Sequence, residues 1–454
     1  MKSFFLFLLV IFLRAAYPQE FGMGLNLDDP KFETSPSSAP LMRGDYENLP
    51  DSASLKDFSP RPGHQGSYGT CTGWASAYAA RTILEAFKNK WSREEIDKNA
   101  FSPSFVYNQI RVIKDCSAGA SLIDALNLLR DAGDMRFQEF GYDCSRDVTD
   151  SDKMKANPYK ILEYREIANR NTLNKHQFIK KSLAENKPVV LAFDTPLSFI
   201  SAKEVWTPDS ADYKEWRRGH AIAAVGYNDN KFGGAIEIIN SWGTKWGKDG
   251  YTWIRYKDFD YFCKLAFEMI DKSRDDSSKV DLSGSLLFRE STGREMKARF
   301  NGEFFSMEKP YPSNTLFELR ISNNEPAYVY AFSSDLTFKT YKIFPFNERM
   351  LAYLPYRQNN VAIPDEESFN VLDSIPGISY FCFVYSKEAL NIDSLMQLIE
   401  KGKGTFWDRV FSVLKERMVS KKDVELKYKD GIIFNARSRG KSLIPVLVAI
   451  KHLQ

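Results

Sequence analysis

A chain of 454 residues is longer than one hydrophobic core usually organises, so two or three domains are expected. Hydrophobic residues make up 43% and charged residues 27% of the chain, a mixture that is globular and excludes a disordered or collagen-like protein. The 62 basic and 59 acidic residues nearly cancel, and no dense basic run is interleaved with aromatic residues, so no nucleic-acid partner is expected.

The first residues combine an early positive charge, Lys2, with an uncharged apolar run at residues 4–13. This run is too short to span a bilayer comfortably, but it is typical of a secretory signal peptide, with an N-terminal membrane anchor as the alternative. We therefore expect a signal peptide at residues 1–19 and no stable membrane insertion after its cleavage. The mature protein is expected to be secreted or to lie in the periplasm or cell envelope.

Two polar segments divide the rest of the chain. Residues 20–48 are poor in patterned apolar side chains and rich in Asp, Pro and Ser, which indicates a linker or an extended N-terminal arm. Residues 271–279 carry no apolar side chain, which predicts a linker at 272–280. Domains are therefore predicted at residues 49–271 and 281–454.

In the first domain, helical signals precede strand signals. Trp74, Tyr78 and Leu84 recur at helical spacing, and a second apolar repeat, at 122–129, ends before Gly133. Strand-like runs follow at 187–194, 220–229, 235–242 and 250–256. The order predicts an α+β fold with a helical lobe, an antiparallel β lobe and a binding cleft between them.

The second domain is predicted to be β-rich. Its apolar or alternating runs, from 283–290 to 379–386, precede a helical stretch near 392–418 and a closing strand at 445–450. The run FELRISNNEPAYVYAFSSD resembles a β-rich domain of unknown function that is appended to secreted or envelope enzymes. No residue pattern in this domain indicates chemistry.

The candidate nucleophile is Cys71. Gly66 and Gly69 precede it, and a helix-forming run begins at or just after it, so its thiol is expected at a helix N-terminus. The positive end of a helix dipole favours thiolate over thiol. This placement is typical of a reactive cysteine.

A nucleophilic thiol also needs an imidazole and a group that orients it. Of the four histidines, His220 is the best candidate, because it begins a strand-like run that could present its ring across a cleft. Asn240 ends the next strand-like run and could orient the imidazole, while Trp242 could shield that hydrogen bond from water.

The three segments QGSYGTC, GHAIAAVGY and INSWGTKWGKDGY resemble the signature blocks of the papain family of cysteine peptidases, in the family's order. The resemblance covers roughly residues 49–271 and implies a two-lobe papain-like fold, peptide-bond hydrolysis and a Cys71, His220 and Asn240 triad. It also implies that Gln65, six residues before Cys71, donates to the oxyanion. Protein or peptide substrates are the expected partners.

Weaker similarities to the papain family suggest that Gly119 and Ala120 form a wall of the cleft that binds the substrate backbone. Trp242 is expected to be a further substrate contact or a packing residue. Tyr68 replaces the family's cysteine and Thr72 its tryptophan next to the nucleophile, which predicts an altered rim. The N-terminal arm is far shorter than the family's usual inhibitory propeptide, so latency by that device is not expected.

The cysteines number five, Cys71, Cys116, Cys144, Cys263 and Cys382, which is compatible with one reactive thiol and up to two bridges in an exported protein. Because the papain family carries disulfides in its helical lobe, the resemblance suggests a bridge between Cys116 and Cys144. Neither the cysteines nor the histidines have metal-site spacing, so no metal and no cofactor are expected.

Two other functions are compatible with these motifs. One is a catalytically inactive papain-fold protein that binds peptides or acts as a scaffold, with a groove altered around Tyr68 and Thr72. The other is a Cys-His acyltransferase or a transglutaminase-like enzyme, although such enzymes ordinarily orient their histidine with aspartate where this chain has Asn240.

Overall fold

The computed structural model describes residues 21–214, 217–271 and 279–454. The predicted signal peptide and most of the predicted linker at 272–280 lie outside the described residues. The helices of the first part of the chain are α1 Gly44–Glu47, α2 Cys71–Gly73, α3 Thr82–Asn89, α4 Arg93–Asn99, α5 Pro103–Ile110, α6 Leu122–Asp131, α7 Phe137–Phe140, α8 Asp150–Ala156, α9 Lys175–Ala184 and α10 Tyr256–Phe262. A π-helix, Trp74–Arg81, joins α2 to α3, and short 3-10 helices lie at Pro30–Thr34, Lys56–Phe58, Asn157–Tyr159, Leu197–Ser201 and Lys231–Gly233.

The strands of this part form one sheet, in which β1 pairs with β5 and the other strands follow the order β2-β8-β3-β5-β6-β7-β4. Their bounds are β1 Ser52–Ser54, β2 Glu163–Ala168, β3 Val189–Thr195, β4 Val205–Trp206, β5 Arg218–Asn228, β6 Ala235–Ile239, β7 Tyr251–Arg255 and β8 Cys263–Ile270. The predicted α+β class, with a helical lobe followed by a mainly antiparallel β lobe, is confirmed.

Strand β3 shows how the sheet joins two cores. Its residues Val190 and Ala192 pack with the helical lobe, whereas Val189, Leu191 and Phe193 pack into the core of the β lobe. Successive side chains of a strand point to opposite faces, so a fully apolar strand is expected where both faces are covered. The helical lobe therefore covers one face of β3, and the core of the β lobe covers the other.

The C-terminal domain is a sandwich of two sheets with a pair of helices outside it. One sheet has the order β10-β11-β22-β19-β14-β15, with β12 on β22 and β16 on β14, and the other has the order β17-β13-β9-β21-β20, with β18 on β13. The strands are β9 Leu282–Glu290, β10 Ala298–Phe300, β11 Phe305–Met307, β12 Tyr311–Pro312, β13 Leu316–Asn323, β14 Ala327–Ser334, β15 Thr340–Phe344, β16 Tyr353–Leu354, β17 Asn359–Ile363, β18 Asn370–Val371, β19 Gly377–Ser386, β20 Val424–Tyr428, β21 Ile432–Ala436 and β22 Leu443–Leu453. The helices are α11 Ile392–Lys401 and α12 Phe406–Leu414, with a 3-10 turn at Lys421–Asp423.

Alternation along β19 explains this layering. Phe381 and Phe383 face the core between the two sheets, while Cys382 and Val384 face the cluster that includes α11 and α12. The predicted β-rich character, the helical stretch and the closing strand are therefore confirmed. The domain boundaries themselves stay a prediction.

The two domains meet at a buried polar network. The Arg165 guanidinium lies 3.3 Å from the Glu268 carboxylate, and both side chains are buried. Tyr356 of the C-terminal domain donates its hydroxyl hydrogen to Glu268, and its oxygen lies 2.9 Å from the Ser182 hydroxyl. A buried carboxylate that lost one of these partners would keep its desolvation cost, so the network favours one fixed arrangement of the domains.

Candidate active site

Cys71 is the first residue of the helix formed by α2, the π-helix and α3. The Trp74 backbone N–H donates to the Thr70 carbonyl at 3.2 Å, which closes the first turn around the cysteine. The predicted position of this thiol at a helix N-terminus is confirmed. The unpaired amides and dipole of such an end favour negative charge on the sulfur.

His220 and Asn240 come together because β5 and β6 are antiparallel neighbours. His220 Nε2 lies 2.8 Å from Asn240 Oδ1. Since an amide oxygen only accepts hydrogen bonds, Nε2 carries the ring proton and Nδ1 is the basic atom. The indole of Trp242 stacks on the imidazole with 4.7 Å between ring centroids, so this hydrogen bond is shielded from solvent.

His220 Nδ1 is buried and makes no hydrogen bond with any described residue. The neighbouring strand position connects the ring to the thiol, because Ala221 is buried in the same core cluster as Cys71. Burial raises the pKa of the Cys71 thiol, and hydrogen bonds from Ala221 and Gly24 oppose that shift. Burial also lowers the pKa of His220 to about 4, against the effect of its bond to Asn240.

Gln65 is held by a partner that the sequence analysis did not assign. The Ser241 hydroxyl donates to Gln65 Oε1 at 2.5 Å, and the Gln65 backbone N–H donates to the Ser241 carbonyl at 2.8 Å. These bonds leave the Gln65 amide nitrogen as the donor that faces the cleft. Ser241 lies between Asn240 and Trp242 in the sequence, and only this position next to two predicted site residues could have indicated its role.

The predicted wall borders the loop before Cys71, since a Cβ atom on Gly69 would lie 2.9 Å from the Gly119 backbone nitrogen. The Cys116–Cys144 bridge, which the family resemblance suggested, is present. The Gly69 backbone N–H donates to the Cys116 carbonyl at 2.8 Å, which ties the wall to the loop before Cys71. Gly119 and the buried Ala120 follow the bridge.

The cleft between these groups holds the N-terminal arm of the chain. Residues 21–27, called the cleft segment below, run from Trp242 past Cys71 to Gly219. The Gly22 carbonyl accepts from Gln65 Nε2 at 3.0 Å and from the Trp242 indole at 3.3 Å. At the other end, the Leu25 backbone N–H donates to the Gly219 carbonyl at 3.1 Å. Residues expected to form a linker or an extended N-terminal arm are therefore packed into the candidate site.

The cleft segment is bound in a register that does not match cleavage. In a peptide bond that is being cleaved, the sulfur attacks a carbonyl carbon, and the oxygen of that same carbonyl accepts a hydrogen bond from the oxyanion donor. Here Gln65 holds the carbonyl of Gly22, whereas the backbone of Gly24, two residues further along, is the arm group that lowers the pKa of the Cys71 thiol. The carbonyl that Gln65 holds and the backbone amide nearest to the thiol therefore belong to different peptide units.

Two glycines allow this close approach. A Cβ atom on Gly22 would lie 1.9 Å from the Tyr68 carbonyl oxygen, and one on Gly24 would lie 2.3 Å from that of Gly69. Both neighbours are backbone atoms that cannot move aside independently. Gly44, later in the arm, has no atom within 4 Å of the corresponding position. Alanine at Gly22 and Gly24 would therefore exclude the cleft segment, while alanine at Gly44 would not.

Within the described ranges, no group of three or more His, Cys, Asp or Glu side chains is arranged to hold a metal ion. The helices in the same ranges are also too short or too polar for any of them to cross a membrane.

Residues 64–271 match the model of the papain family of cysteine proteases. They are a papain-family domain. Its cleft is the one that holds Cys71, His220 and Asn240, and the match covers the helical lobe and the strands from β2 to β8. The arm and the C-terminal domain lie outside the matched residues.

Individual relatives of the papain-family domain are distant. An uncharacterized peptidase C1-like protein of Acanthamoeba polyphaga mimivirus is 28% identical over 211 residues, which are 42% of this chain and 63% of that protein. Bovine (Bos taurus) pro-cathepsin H is 31% identical over 99 residues, 21% of this chain and 29% of its own length. The matches thus span less than two thirds of these curated relatives. The solved structure of xylellain, a cysteine protease from Xylella fastidiosa, is 24% identical and aligns over 57% of this chain and 97% of xylellain with a TM-score of 0.45.

The buried imidazole makes stability depend on pH. The pKa of His220 is about 4 in the folded chain and 6.5 when unperturbed, so between these values the unfolded chain binds a proton that the folded chain does not. This contribution is complete above pH 6.5 and is lost as the pH falls toward 4, by up to about 3 kcal/mol. We expect His220→Gln to flatten the fall in unfolding free energy between pH 7 and 4.5. Equal pH dependence of the two proteins in urea denaturation would contradict this.

Proposed function

We propose that this protein is a cysteine peptidase that hydrolyses peptide bonds through a thioester on Cys71. The observation that carries the proposal is the shielded hydrogen bond from His220 Nε2 to Asn240. It leaves Nδ1 as the basic atom of the ring, and Nδ1 has no hydrogen-bond partner among the described residues. The next residue of the same strand, Ala221, is buried in one cluster with Cys71. This arrangement fits a base that is already oriented for one proton.

The chemistry assigns one step to each group. His220 Nδ1 takes the Cys71 proton, and the thiolate attacks the substrate carbonyl carbon to form a tetrahedral oxyanion. The imidazolium then protonates the leaving amine, and the C–N bond breaks to leave a thioester. Water, deprotonated by the same nitrogen, hydrolyses the thioester and restores the thiol. Asn240 keeps the ring in the tautomer that this cycle needs.

Gln65 is assigned to the oxyanion. Its amide nitrogen already binds a peptide carbonyl, that of Gly22, at 3.0 Å, which supports a role as carbonyl donor. Ser241 fixes the opposite end of the amide, so the donor is oriented before substrate binds. The Cys71 backbone N–H would be the second donor.

Extended peptides are the proposed substrates. The cleft binds its own arm through backbone groups of Gly219 and through the side chains of Gln65 and Trp242, and such contacts suit any peptide main chain. Gly119 and Ala120 are proposed to line the same path.

An inactive peptide-binding protein is the second candidate, and the occupied cleft is the observation that favours it. The two candidates differ in whether Cys71 turns substrate over once the cleft segment is displaced. Assays therefore use both the natural chain and the Gly22→Ala/Gly24→Ala variant, whose cleft segment cannot take up its place.

We expect Cys71→Ala in the double-glycine background to lose peptidase activity by at least about 10⁴-fold while folding normally, because no other group can form the acyl-enzyme. Turnover of a fluorogenic peptide library and mass mapping of an epoxide thiol label are the measurements. Cys263→Ala is the matched control, since burial raises the pKa of that thiol to about 12 and makes it inert. Absence of turnover in both parent backgrounds would leave the inactive binder as the better account.

Gln65→Ala, in the same background, should lower kcat by about 10²-fold with little change in KM, because an oxyanion exists only in the transition state. Gln109→Ala is the control, as its amide bonds within its own helix to the Phe105 carbonyl. A change confined to KM would assign Gln65 to substrate binding instead.

Export is proposed from the charged and apolar start of the chain and is supported by the Cys116–Cys144 bridge, since disulfides persist in oxidising compartments. We expect the mature protein recovered from culture medium or envelope to begin near residue 20. N-terminal sequencing measures this, and a mature cytoplasmic form that begins at Met1 would contradict it.

A further inference from the structure

The arm continues from the cleft directly onto the C-terminal domain. Residues 35–45, called the anchor segment below, make backbone contacts with that domain. The Ser37 N–H donates to the Arg349 carbonyl at 2.7 Å, and the Leu351 N–H donates back to the Ser37 carbonyl at 3.0 Å. A paired main chain of this kind fixes the position of the segment in both directions.

The Arg349 side chain adds contacts on both sides of the domain boundary. Its Nε donates to the Ser35 carbonyl at 2.9 Å, and its guanidinium lies 3.3 Å from the Glu166 carboxylate of the papain-family domain. The backbone of Glu166 in turn bonds to Pro36 and Ser38, at 2.7 and 2.9 Å. The anchor segment is therefore held between the two domains.

The end of the anchor segment belongs to the core of the C-terminal domain. Ala39 and Leu41 are buried in the cluster between the two sheets. The Asp45 carboxylate accepts from the backbone and side-chain nitrogens of Asn360, both at 2.7 Å. Burial of these apolar side chains contributes more free energy to the attachment of the arm than any of its exposed contacts.

Between the cleft and anchor segments, the papain-family domain offers mixed support. Asp28 and Lys31 form ion pairs with Arg170 and Asp124, and all four side chains are at least one-third exposed, so these pairs contribute little. Phe32 is the exception, because it is buried in the core of the helical lobe. The strongest remaining attachment of the arm is therefore the anchor segment.

We propose that the C-terminal domain regulates access to Cys71 by anchoring the arm, so that the cleft segment closes the active site as an intramolecular competitor. The proposal rests on the proposed function in taking this cleft as the catalytic one. Anchoring keeps the cleft segment at a high local concentration, because each dissociation leaves it tethered a few residues away. The Tyr356 contact with Glu268 holds the anchor and the cleft at a fixed separation.

The test measures the rate at which iodoacetamide alkylates Cys71 in the full mature chain. Leu41→Ala removes core burial from the anchor segment, and Arg349→Ala removes the side chain that bridges the domains. Each should raise the Cys71 alkylation rate by about tenfold or more. Gly22→Ala/Gly24→Ala, which excludes the cleft segment directly, should give the largest rate.

Two controls match these variants. Arg43→Ala lies in the anchor segment but removes only ion pairs from a side chain that is 72% exposed, so its rate should stay within about twofold of the natural chain. Gly44→Ala adds a methyl group in open space and should also leave the rate unchanged. Cys263 and Cys382 are buried and serve as internal reporters of unfolding.

Faster alkylation of Cys71 alone in Leu41→Ala and Arg349→Ala supports the proposal. A natural rate in both variants would overturn it, and so would labelling of Cys263 and Cys382 in step with Cys71, since the effect would then come from unfolding. Thiol access is independent of turnover. Faster alkylation of Leu41→Ala and Arg349→Ala than of the natural chain, with no peptidase activity in any of the three, would therefore refute the proposed function and leave the anchoring intact.

Discussion

The structure depends on the hydrogen bonds that orient the polar side chains buried beside Cys71. His220, Gln65 and Asn240 are buried, and a buried polar atom without a partner costs about 1–3 kcal/mol. The pairing of β5 with β6 supplies the bond between His220 and Asn240, and the residue after Asn240 supplies the hydroxyl that holds Gln65. One strand connection therefore positions both His220 and Gln65, and the indole of Trp242 stacks on the imidazole.

The elements that carry these groups could be predicted because each one covers an apolar core. The helical position of Leu84 and the solid apolar run of β3 reflect burial in the two cores that β3 joins. Trp74 is buried against Tyr78 and Tyr142 instead. The order of the three signature blocks then predicted that Cys71 and His220 belong to one site, which the hydrophobic periodicity of the helices and strands could not have shown. The roles of the individual residues in catalysis stay a prediction.

The path of the arm could not be predicted, since the contacts of Gly22 and Gly24 that place it in the cleft are made by backbone atoms, although Phe21 also stacks on Trp242 and Leu25 is buried beside Cys71. Gly22 and Gly24 bind through a carbonyl and an amide that every residue possesses, and their own absence of a side chain is what permits the approach. Hydrophobic patterns record side-chain burial alone. The contact of Tyr356 with Glu268 was equally invisible, because it joins residues 88 positions apart in different domains.

The anchor of the arm has a consequence for the order of folding. Arg349 bonds to the Ser35 carbonyl across a sequence separation of 314 residues. Long-range contacts form late because loop closure must come first, and at about 5–20 residues per second a ribosome needs roughly 15–60 s to cover that interval. A papain-family domain that folds as it emerges therefore passes through a period in which its arm is attached at the cleft and at Phe32 but not yet at the sandwich. Chaperones or export factors that act during synthesis would meet this unanchored form first.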